Sequence, residues 1–188
     1  MYNIFLDFDG TLADSSEGIY KSFVSACNEL NLTPPTYQDF ISYIGPPVQI
    51  IVKKIFPNID ELMIDRFVTD FRATYDHENY QCLSWYKNVK SDLKLLNNLN
   101  DLSFSIVTNK PTQPTLALLK SANIYQYFKY VIGIDYLKFV NNGEVFKSKY
   151  EALNYLIKLT NADINKVFYV GDTANDQKCA LKVGIRFI

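Results

Sequence analysis

Residues 1–15, MYNIFLDFDGTLADS, join an apolar run directly to two carboxylates that lie two residues apart. The run from residue 2 to residue 8 is rich in apolar and β-forming side chains, which predicts a buried strand. A charge at the end of a buried strand is costly unless something binds it. Asp7 and Asp9 are therefore candidates for a functional site, and Gly10-Thr11 predicts a turn directly after them.

The next part of the chain has helical rather than strand periodicity. Apolar residues recur every three or four positions, and proline or glycine clusters at 34–35 and 45–47 interrupt the pattern. Four helices and no strand are predicted there, over residues 15–32, 36–43, 48–56 and 59–79. We therefore expect residues 15–82 to form an all-helical insertion.

Strands alternate with helices in the remainder of the chain. The predicted strands are 102–108, 130–134, 167–170 and 185–188, and the predicted helices are 89–99, 111–122, 148–159 and 174–183. Such alternation predicts an α/β fold, a parallel sheet with helices on both faces. The simplest architecture is one α/β domain made of residues 1–14 and 83–188, interrupted by the helical insertion.

Composition narrows the class of protein. The chain has 188 residues, 48% of them hydrophobic, which suits one domain with a modest insertion. With a net charge of −1 and no basic stripe, a nucleic-acid partner is not expected. No apolar run approaches ~18 residues and the N-terminus lacks a signal-peptide pattern, so we expect neither a membrane span nor secretion. Three widely spaced cysteines favour a reduced, cytoplasmic protein, and the single histidine, His77, cannot build a multi-histidine metal site.

A second pair of carboxylates, Asp172 and Asp176, follows the predicted strand 167–170. As bare patterns, D-x-D and D-x-x-x-D are expected by chance, and only their position after strands makes them specific. The carboxyl ends of parallel strands meet at one edge of a sheet, where ligands bind. Carboxylates gathered there repel one another unless a hard cation such as Mg²⁺ binds to them.

Two further groups of polar residues follow strands or begin helices. Thr108 and Asn109 could donate hydrogen bonds to phosphate oxygens, or could simply cap the helix that begins near Pro111. Lys147 and Lys149 lie near the start of the helix 148–159. Either lysine could neutralise a phosphate and keep a nucleophilic carboxylate ionised, and either could instead be a solvated surface residue.

Four segments, in this order, resemble the motifs of the haloacid dehalogenase-like phosphohydrolases. They are DFDGTLADS (7–15), VTNKP (107–111), SKYEAL (148–153) and VGDTANDQKCA (170–180). Three further segments resemble the phosphoglycolate phosphatase-like branch of that family. They are YIGPPVQII (43–51), FRATYDHENYQCLSWYKNV (71–89) and FKYVIGID (128–135). The resemblance covers essentially the whole chain and implies a Rossmann-like core with an inserted all-helical cap.

The resemblance also implies a role for each candidate residue. Asp7 is the implied nucleophile, which forms an aspartyl-phosphate, and Asp9 is the implied general acid and then general base. The implied Mg²⁺ ligands are the carboxylates of Asp7 and Asp172 and the backbone carbonyl of Asp9, with Asp176 completing the inner or outer shell. The implied phosphate-binding residues are Thr108, Asn109 and Lys149, and the cap residues expected to contact the leaving group are Gly45, Pro46 and Arg72.

The activity implied by the resemblance is a Mg²⁺-dependent phosphatase of a small phosphomonoester, with phosphoglycolate, nucleotides, sugar phosphates and pyrophosphate as candidate substrates. A phosphomutase of the β-phosphoglucomutase type is an alternative, but residues 14–30 lack the histidine that such enzymes usually carry. An inactive interaction protein of the same family is another, although every aspartate of the motifs is present. The oligomeric state is not predicted.

Two features depart from the pattern of the family. Tyr86-Lys87-Asn88-Val89 replaces the usual Tyr-Pro-Gly-Val, from which we expect a hinge of altered stiffness rather than lost chemistry. The chain also stops at Ile188, where the family continues through a last strand and helix. A naturally short chain and a trimmed one are both compatible with this end.

Overall fold

The computed structural model describes residues 1–141 and 143–188, which divide into two units. One unit contains Met1–Ala13 and Trp85–Ile188, and the other contains Asp14–Ser84. The predicted division, 1–14 with 83–188 and 15–82 between them, differs from these units by one or two residues at each junction. That the second unit serves as a cap stays a prediction.

The first unit contains a five-stranded sheet in which every pair of neighbours is parallel. In chain order the strands are β1 (Tyr2–Leu6), β2 (Ala13–Asp14), β3 (Ser84–Trp85), β4 (Leu102–Val107), β5 (Phe128–Ile132), β6 (Val167–Val170) and β7 (Arg186–Phe187). The sheet has the order β5-β4-β1-β6-β7, whereas β2 and β3 form a separate two-stranded sheet. The predicted α/β class with a parallel sheet is confirmed.

Helices account for most of the remaining residues. The second unit contributes α1 (Ser16–Glu29), α2 (Tyr37–Phe40), α3 (Val48–Ile55) and α4 (Glu61–Tyr75). The first contributes α5 (Val89–Leu96), α6 (Thr112–Ser121), α7 (Tyr136–Asn141), α8 (Lys149–Thr160) and α9 (Ala174–Val183). Among residues 1–141 and 143–188, none of the helices has both the length and the apolar character needed to cross a bilayer.

The central strand is buried on both of its faces. Successive residues of a strand point to opposite sides of the sheet, and both Phe5 and Leu6 are buried in β1. On the side of Phe5, α8 and α9 contribute Leu153 and Ala180 to one apolar core. Two buried faces explain why β1 ends in three consecutive apolar residues, Ile4-Phe5-Leu6, rather than alternating.

The register of the sheet brings the predicted polar residues to one edge. Leu6 pairs with Ile106 of β4 on one side and with Val170 of β6 on the other. The hydrogen bonding continues one residue further, because the backbone N–H of Asp7 donates to the carbonyl of Val170 over 2.9 Å. Residues that follow β1, β4 and β6 therefore emerge side by side.

Strand β5 differs from its prediction, since it covers Phe128–Ile132 rather than residues 130–134. Directly after the strand, the backbone of Gly133 passes very close to the loop that follows β4. A Cβ atom at position 133 would lie 2.5 Å from the Thr112 nitrogen and 2.6 Å from the Lys110 oxygen. Helix α7, which follows, was not predicted.

The second unit has its own apolar core. Three phenylalanines from different helices, Phe23, Phe40 and Phe67, are fully buried. The ring centroid of Phe23 lies 4.6 Å from that of Phe40 and 4.8 Å from that of Phe67. The expected cap of the second predicted helix is present, because the Thr36 side chain accepts a hydrogen bond from the Asp39 nitrogen. This unit is therefore a packed helical body in its own right.

Candidate active site

Asp7 and Lys149 form a buried ion pair at the carboxyl end of β1. The Lys149 Nζ lies 2.6 Å from Asp7 Oδ2, and both side chains are almost wholly buried. The other carboxylate oxygen, Oδ1, accepts a hydrogen bond from the Phe8 nitrogen over 2.8 Å. Lys149 is the first residue of α8, and Ser148, as the cap, accepts from the Glu151 nitrogen and fixes that helix start. Lys147, the alternative lysine, is exposed.

The Asp176 carboxylate also accepts a hydrogen bond from Lys149. Its Oδ1 lies 2.5 Å from the Lys149 Nζ and 3.3 Å from the Tyr169 hydroxyl, whose one hydrogen is shared with the Val107 carbonyl at 3.0 Å. Its Oδ2 accepts from the backbone nitrogen and hydroxyl of Thr173, and the Asp176 nitrogen donates back to that hydroxyl. This capping box begins α9 and occupies Oδ2, while Oδ1 accepts from Lys149 and Tyr169, so both carboxylate oxygens accept hydrogen bonds. Whether Asp176 completes the inner or the outer shell of a metal ion stays a prediction.

Asp172 completes an acidic cluster. Carboxylate oxygens from Asp7, Asp172 and Asp176 all lie within 4.8 Å of one another. Asp172 packs against Gly10, whose φ is +79°, and a Cβ there would lie 2.1 Å from Asp172 Oδ2. Glycine is required at this turn both for its backbone conformation and for the space that the carboxylate fills. Three carboxylates with one lysine are a set of hard oxygen donors with excess negative charge, which fits a Mg²⁺ ion.

Burial and neighbouring charges shift the pKa values of Asp7, Lys149 and Tyr169. Burial raises the pKa of Asp7 from 3.8 to about 6; the Lys149 ammonium opposes this shift and the Asp176 carboxylate adds to it. Burial lowers the pKa of Lys149, but Asp7 and Asp176 together raise it above its ordinary value. Burial and the same carboxylates hold the Tyr169 hydroxyl pKa well above its usual range. At neutral pH Lys149 is therefore a cation and Tyr169 a hydrogen-bond donor.

Asp9 has a separate cationic partner, which the sequence did not reveal. The Lys110 Nζ lies 3.0 Å from Asp9 Oδ1 and 3.5 Å from Oδ2, and 5.5 Å from the centre of the Phe8 ring. The Lys110 side chain is fully buried, whereas a quarter of the Asp9 side chain is exposed. Asp9 therefore retains the access to solvent that a proton-transfer group needs.

Thr108 and Asn109 follow β4 at the same edge of the sheet. Thr108 is buried; its nitrogen donates to the Ile132 carbonyl over 3.0 Å, and its hydroxyl oxygen accepts from the Lys110 nitrogen over 3.2 Å. Asn109 is half-buried. The Thr108 hydroxyl hydrogen remains available as a donor, and the phosphate-binding role of both residues stays a prediction.

The predicted cap residues Gly45, Pro46 and Arg72 belong to the second unit. Gly45 has a φ of +128°, which its lack of a side chain permits. The Arg72 Nη1 lies 3.3 Å from Asp76 Oδ1, one helical turn away, and both side chains are partly exposed. Contact of these three residues with a leaving group stays a prediction.

Three residues of the site were not singled out from the sequence: Lys110, Tyr169 and Thr173. A signal existed for Thr173, because Thr-x-x-Asp at a helix start is a capping-box pattern. Lys110 follows Thr108 and Asn109 directly, but no local pattern says that a lysine side chain turns inward. Tyr169 lies in an apolar strand, where a tyrosine is ordinarily a packing residue.

Comparison with known proteins identifies related chains. The family model described as haloacid dehalogenase-like hydrolase matches residues 4–188. A phosphoglycolate phosphatase of Pseudomonas syringae pv. tomato is 23% identical over 188 residues, covering 97% of this chain and 66% of that protein. Pyrophosphatase PpaX of Bacillus mycoides is 26% identical over 174 residues, covering 92% of this chain and 75% of that protein.

The fold has a close counterpart among solved structures. A hydrolase of the haloacid dehalogenase-like family from Streptococcus pneumoniae superposes with a TM-score of 0.86 at 22% identity. The match covers 100% of this chain and 83% of that one. The present chain spans about two thirds of the length of the Pseudomonas relative.

Proposed function

This chain belongs to the haloacid dehalogenase-like hydrolase family, and we propose that it is a Mg²⁺-dependent phosphatase of small phosphate esters. The observation that carries the proposal is the Lys149 ammonium between the Asp7 and Asp176 carboxylates, with Asp172 in the same cluster. The names of the relatives, phosphoglycolate phosphatase and pyrophosphatase, support a small anionic substrate. A cytoplasmic location stays a prediction.

In the proposed reaction, an Asp7 carboxylate oxygen forms a bond to phosphorus while the bond from phosphorus to the leaving oxygen breaks. Protonated Asp9 gives its proton to that oxygen, so that an alcohol leaves. Asp9, now a carboxylate, takes a proton from water as the water attacks the aspartyl-phosphate. Inorganic phosphate is released and both aspartates return to their starting states.

The surrounding residues serve this chemistry through charge and position. Lys149 keeps Asp7 ionised and close to the incoming phosphate, and Thr108 and Asn109 donate hydrogen bonds to its oxygens. Tyr169 and Thr173 hold Asp176, which in turn holds Lys149. Asp7 and Asp172, with the Asp9 carbonyl, would hold Mg²⁺, which when bound neutralises the negative charge of the phosphate and of the carboxylates.

A panel of phosphate esters tests the proposal. The panel contains p-nitrophenyl phosphate, phosphoglycolate, nucleoside monophosphates, sugar phosphates and pyrophosphate, each assayed with Mg²⁺ and with EDTA. We expect Mg²⁺-dependent release of phosphate from at least one member, and loss of that release in EDTA. Release that equals an Asp7→Asn preparation for every substrate would overturn the proposal.

A further inference from the structure

Lys110 is a buried cation that the proposed reaction does not use. Its side chain has no exposed area, and its Nζ contacts both oxygens of the Asp9 carboxylate. Burying an ammonium is unfavourable unless the group is well paired, and the net contribution of such a pair to stability is small. The position of Lys110 therefore calls for an explanation other than stability.

The backbone on either side of Lys110 is firmly held. Its nitrogen donates to the Thr108 hydroxyl, and the next helix begins where Thr112 donates twice to Asp135 Oδ1, over 2.7 Å from its nitrogen and 2.8 Å from its hydroxyl. Gly133 packs against this loop so closely that no side chain fits. The ammonium of Lys110 is thus presented to Asp9 from a rigid support.

Asp9, in contrast, lies at the start of a turn. It follows β1 and precedes Gly10, whose φ of +79° begins the turn, and its side chain is partly exposed to water. A partly exposed aspartate at a turn has several rotamers of similar energy. The contact with Lys110 selects one of them.

We propose that Lys110 is the positioning residue for Asp9: it holds the Asp9 carboxylate in the one orientation from which the proton reaches the leaving oxygen. This inference rests on the proposed phosphatase function. Lys110 acts through Asp9 and does not itself exchange a proton. A displacement of about 1 Å at a reacting group costs about 10²-fold in rate, so the contact is expected to matter for catalysis more than for folding.

The test compares leaving groups and uses kcat/KM, which reports the steps up to release of the alcohol and omits hydrolysis of the aspartyl-phosphate. Lys110→Met is assayed with Mg²⁺ on p-nitrophenyl phosphate, phenyl phosphate and an alkyl phosphate. We expect a loss of about 10²-fold on the alkyl ester, where the acid is needed most, and about threefold or less on the nitrophenyl ester. Lys110→Gln, which keeps N–H donors, is expected to lose less.

A double-mutant cycle tests whether Lys110 acts through Asp9. In an Asp9→Asn background, Lys110→Met should change none of the three values further, because the residue through which it acts is already disabled. The ratio of alkyl to nitrophenyl kcat/KM cancels any unfolded fraction, so it is meaningful even for a partly folded variant. Lys120→Met is the matched control, since Lys120 lies 5.4 Å over the Tyr125 ring but is exposed.

Each outcome decides the matter. Equal losses for all leaving groups, or a full Lys110→Met effect that persists beside Asp9→Asn, would overturn the positioning role and leave the phosphatase function standing. Absence of turnover by the unmodified protein on every ester would overturn the proposed function, and the inference would fall with it. Loss confined to poor leaving groups, and absent beside Asp9→Asn, supports it.

Discussion

Asp7 and Asp9 lie two residues apart on one segment, yet each is paired with a different lysine in a different environment. The Asp7 pair with Lys149 is buried on both sides and shares its cation with Asp176. The Asp9 pair with Lys110 has a buried cation and a carboxylate that is a quarter exposed. The first environment is crowded with negative charge, and the second contains an ion pair at the edge of solvent.

The difference teaches how one short segment can support two chemical roles. A buried carboxylate in excess negative charge is suited to a bound cation and to attack on an electrophile, and it is not free to shuttle protons. A carboxylate with access to water and one fixed partner can exchange a proton and return to the same place. The two environments thus lie within three residues of the chain, directly before the turn at Gly10.

The largest expected effect is that of Asp7→Asn. The variant loses the attacking oxygen, and we expect activity to fall by about 10⁴-fold or more, as when other covalent nucleophiles are removed. Acid quenching with a ³²P-labelled substrate should trap phosphoprotein for the unmodified chain and none for the variant. Asp101→Asn, the same change at the exposed opposite end of the sheet, is the control. Detection of labelled phosphoprotein in the Asp7→Asn variant would contradict the assignment of Asp7 as the nucleophile.

Asp9→Asn should produce a loss that depends on the substrate. General acid catalysis contributes about 10²–10⁴-fold, so we expect kcat/KM to fall within that range for alkyl phosphates and far less for p-nitrophenyl phosphate. Labelled phosphoprotein should still form from the nitrophenyl ester, and should persist because its hydrolysis lacks a base. A uniform loss across leaving groups would argue against Asp9 as the acid.

Replacing each of the two lysines separately compares the environments through the free energy of unfolding. Lys149→Met leaves two buried carboxylates without a cation, which should lower the free energy of unfolding by about 3–5 kcal/mol. Lys110→Met should cost less, because Asp9 can turn towards water. Urea unfolding at pH 8 without metal measures both, and Lys147→Met serves as the exposed control. Similar losses for both variants would contradict the comparison.

A smaller effect is expected from Mg²⁺ and pH. The pKa of Asp7 in the metal-free fold is about 6, against 3.8 for an ordinary aspartate. Between those values the folded state keeps a proton that the unfolded state has released, so the free energy of unfolding falls as pH rises through about 6. Mg²⁺ should reverse this loss by about 2.7 kcal/mol at 100 times its Kd.

Thermal melting with Mg²⁺ and with EDTA at several pH values between 5 and 7.5 measures that reversal. The stabilisation by Mg²⁺ should grow as pH rises, because a protonated Asp7 is not a ligand. In Asp7→Asn both the growth with pH and most of the stabilisation should be absent. A Mg²⁺ effect of the same size at pH 5 and pH 7.5 would place the metal away from Asp7.

The sheet and the Asp7 cluster were accessible from the sequence because each rests on a local pattern. Apolar runs predicted the strands, and an aspartate directly after a strand of a parallel sheet can only emerge at one edge. The preference for Lys149 over Lys147 agrees with its contact to Asp7, which depends on the helix start at Ser148.

The pairing of Lys110 with Asp9 was not accessible, since it depends on how deeply one side chain turns inward between separate loops. The close packing directly after β5 has a similar origin, because Gly133 meets the backbone of Thr112, a residue far from it along the chain. Asn88 has a φ of +68°, a left-handed conformation that asparagine tolerates. Such effects are tertiary and leave no periodic signal.

The central place of β1 has a consequence for the order in which the protein is made. This strand precedes the helical unit along the chain, but its neighbours begin only at Leu102 and Val167, after the whole helical unit has been synthesised. The helical unit has its own apolar core, so it can fold once residue 84 has emerged. We therefore expect β1, which the two aspartates directly follow, to wait longer for its partners during translation than any other strand of the five-stranded sheet.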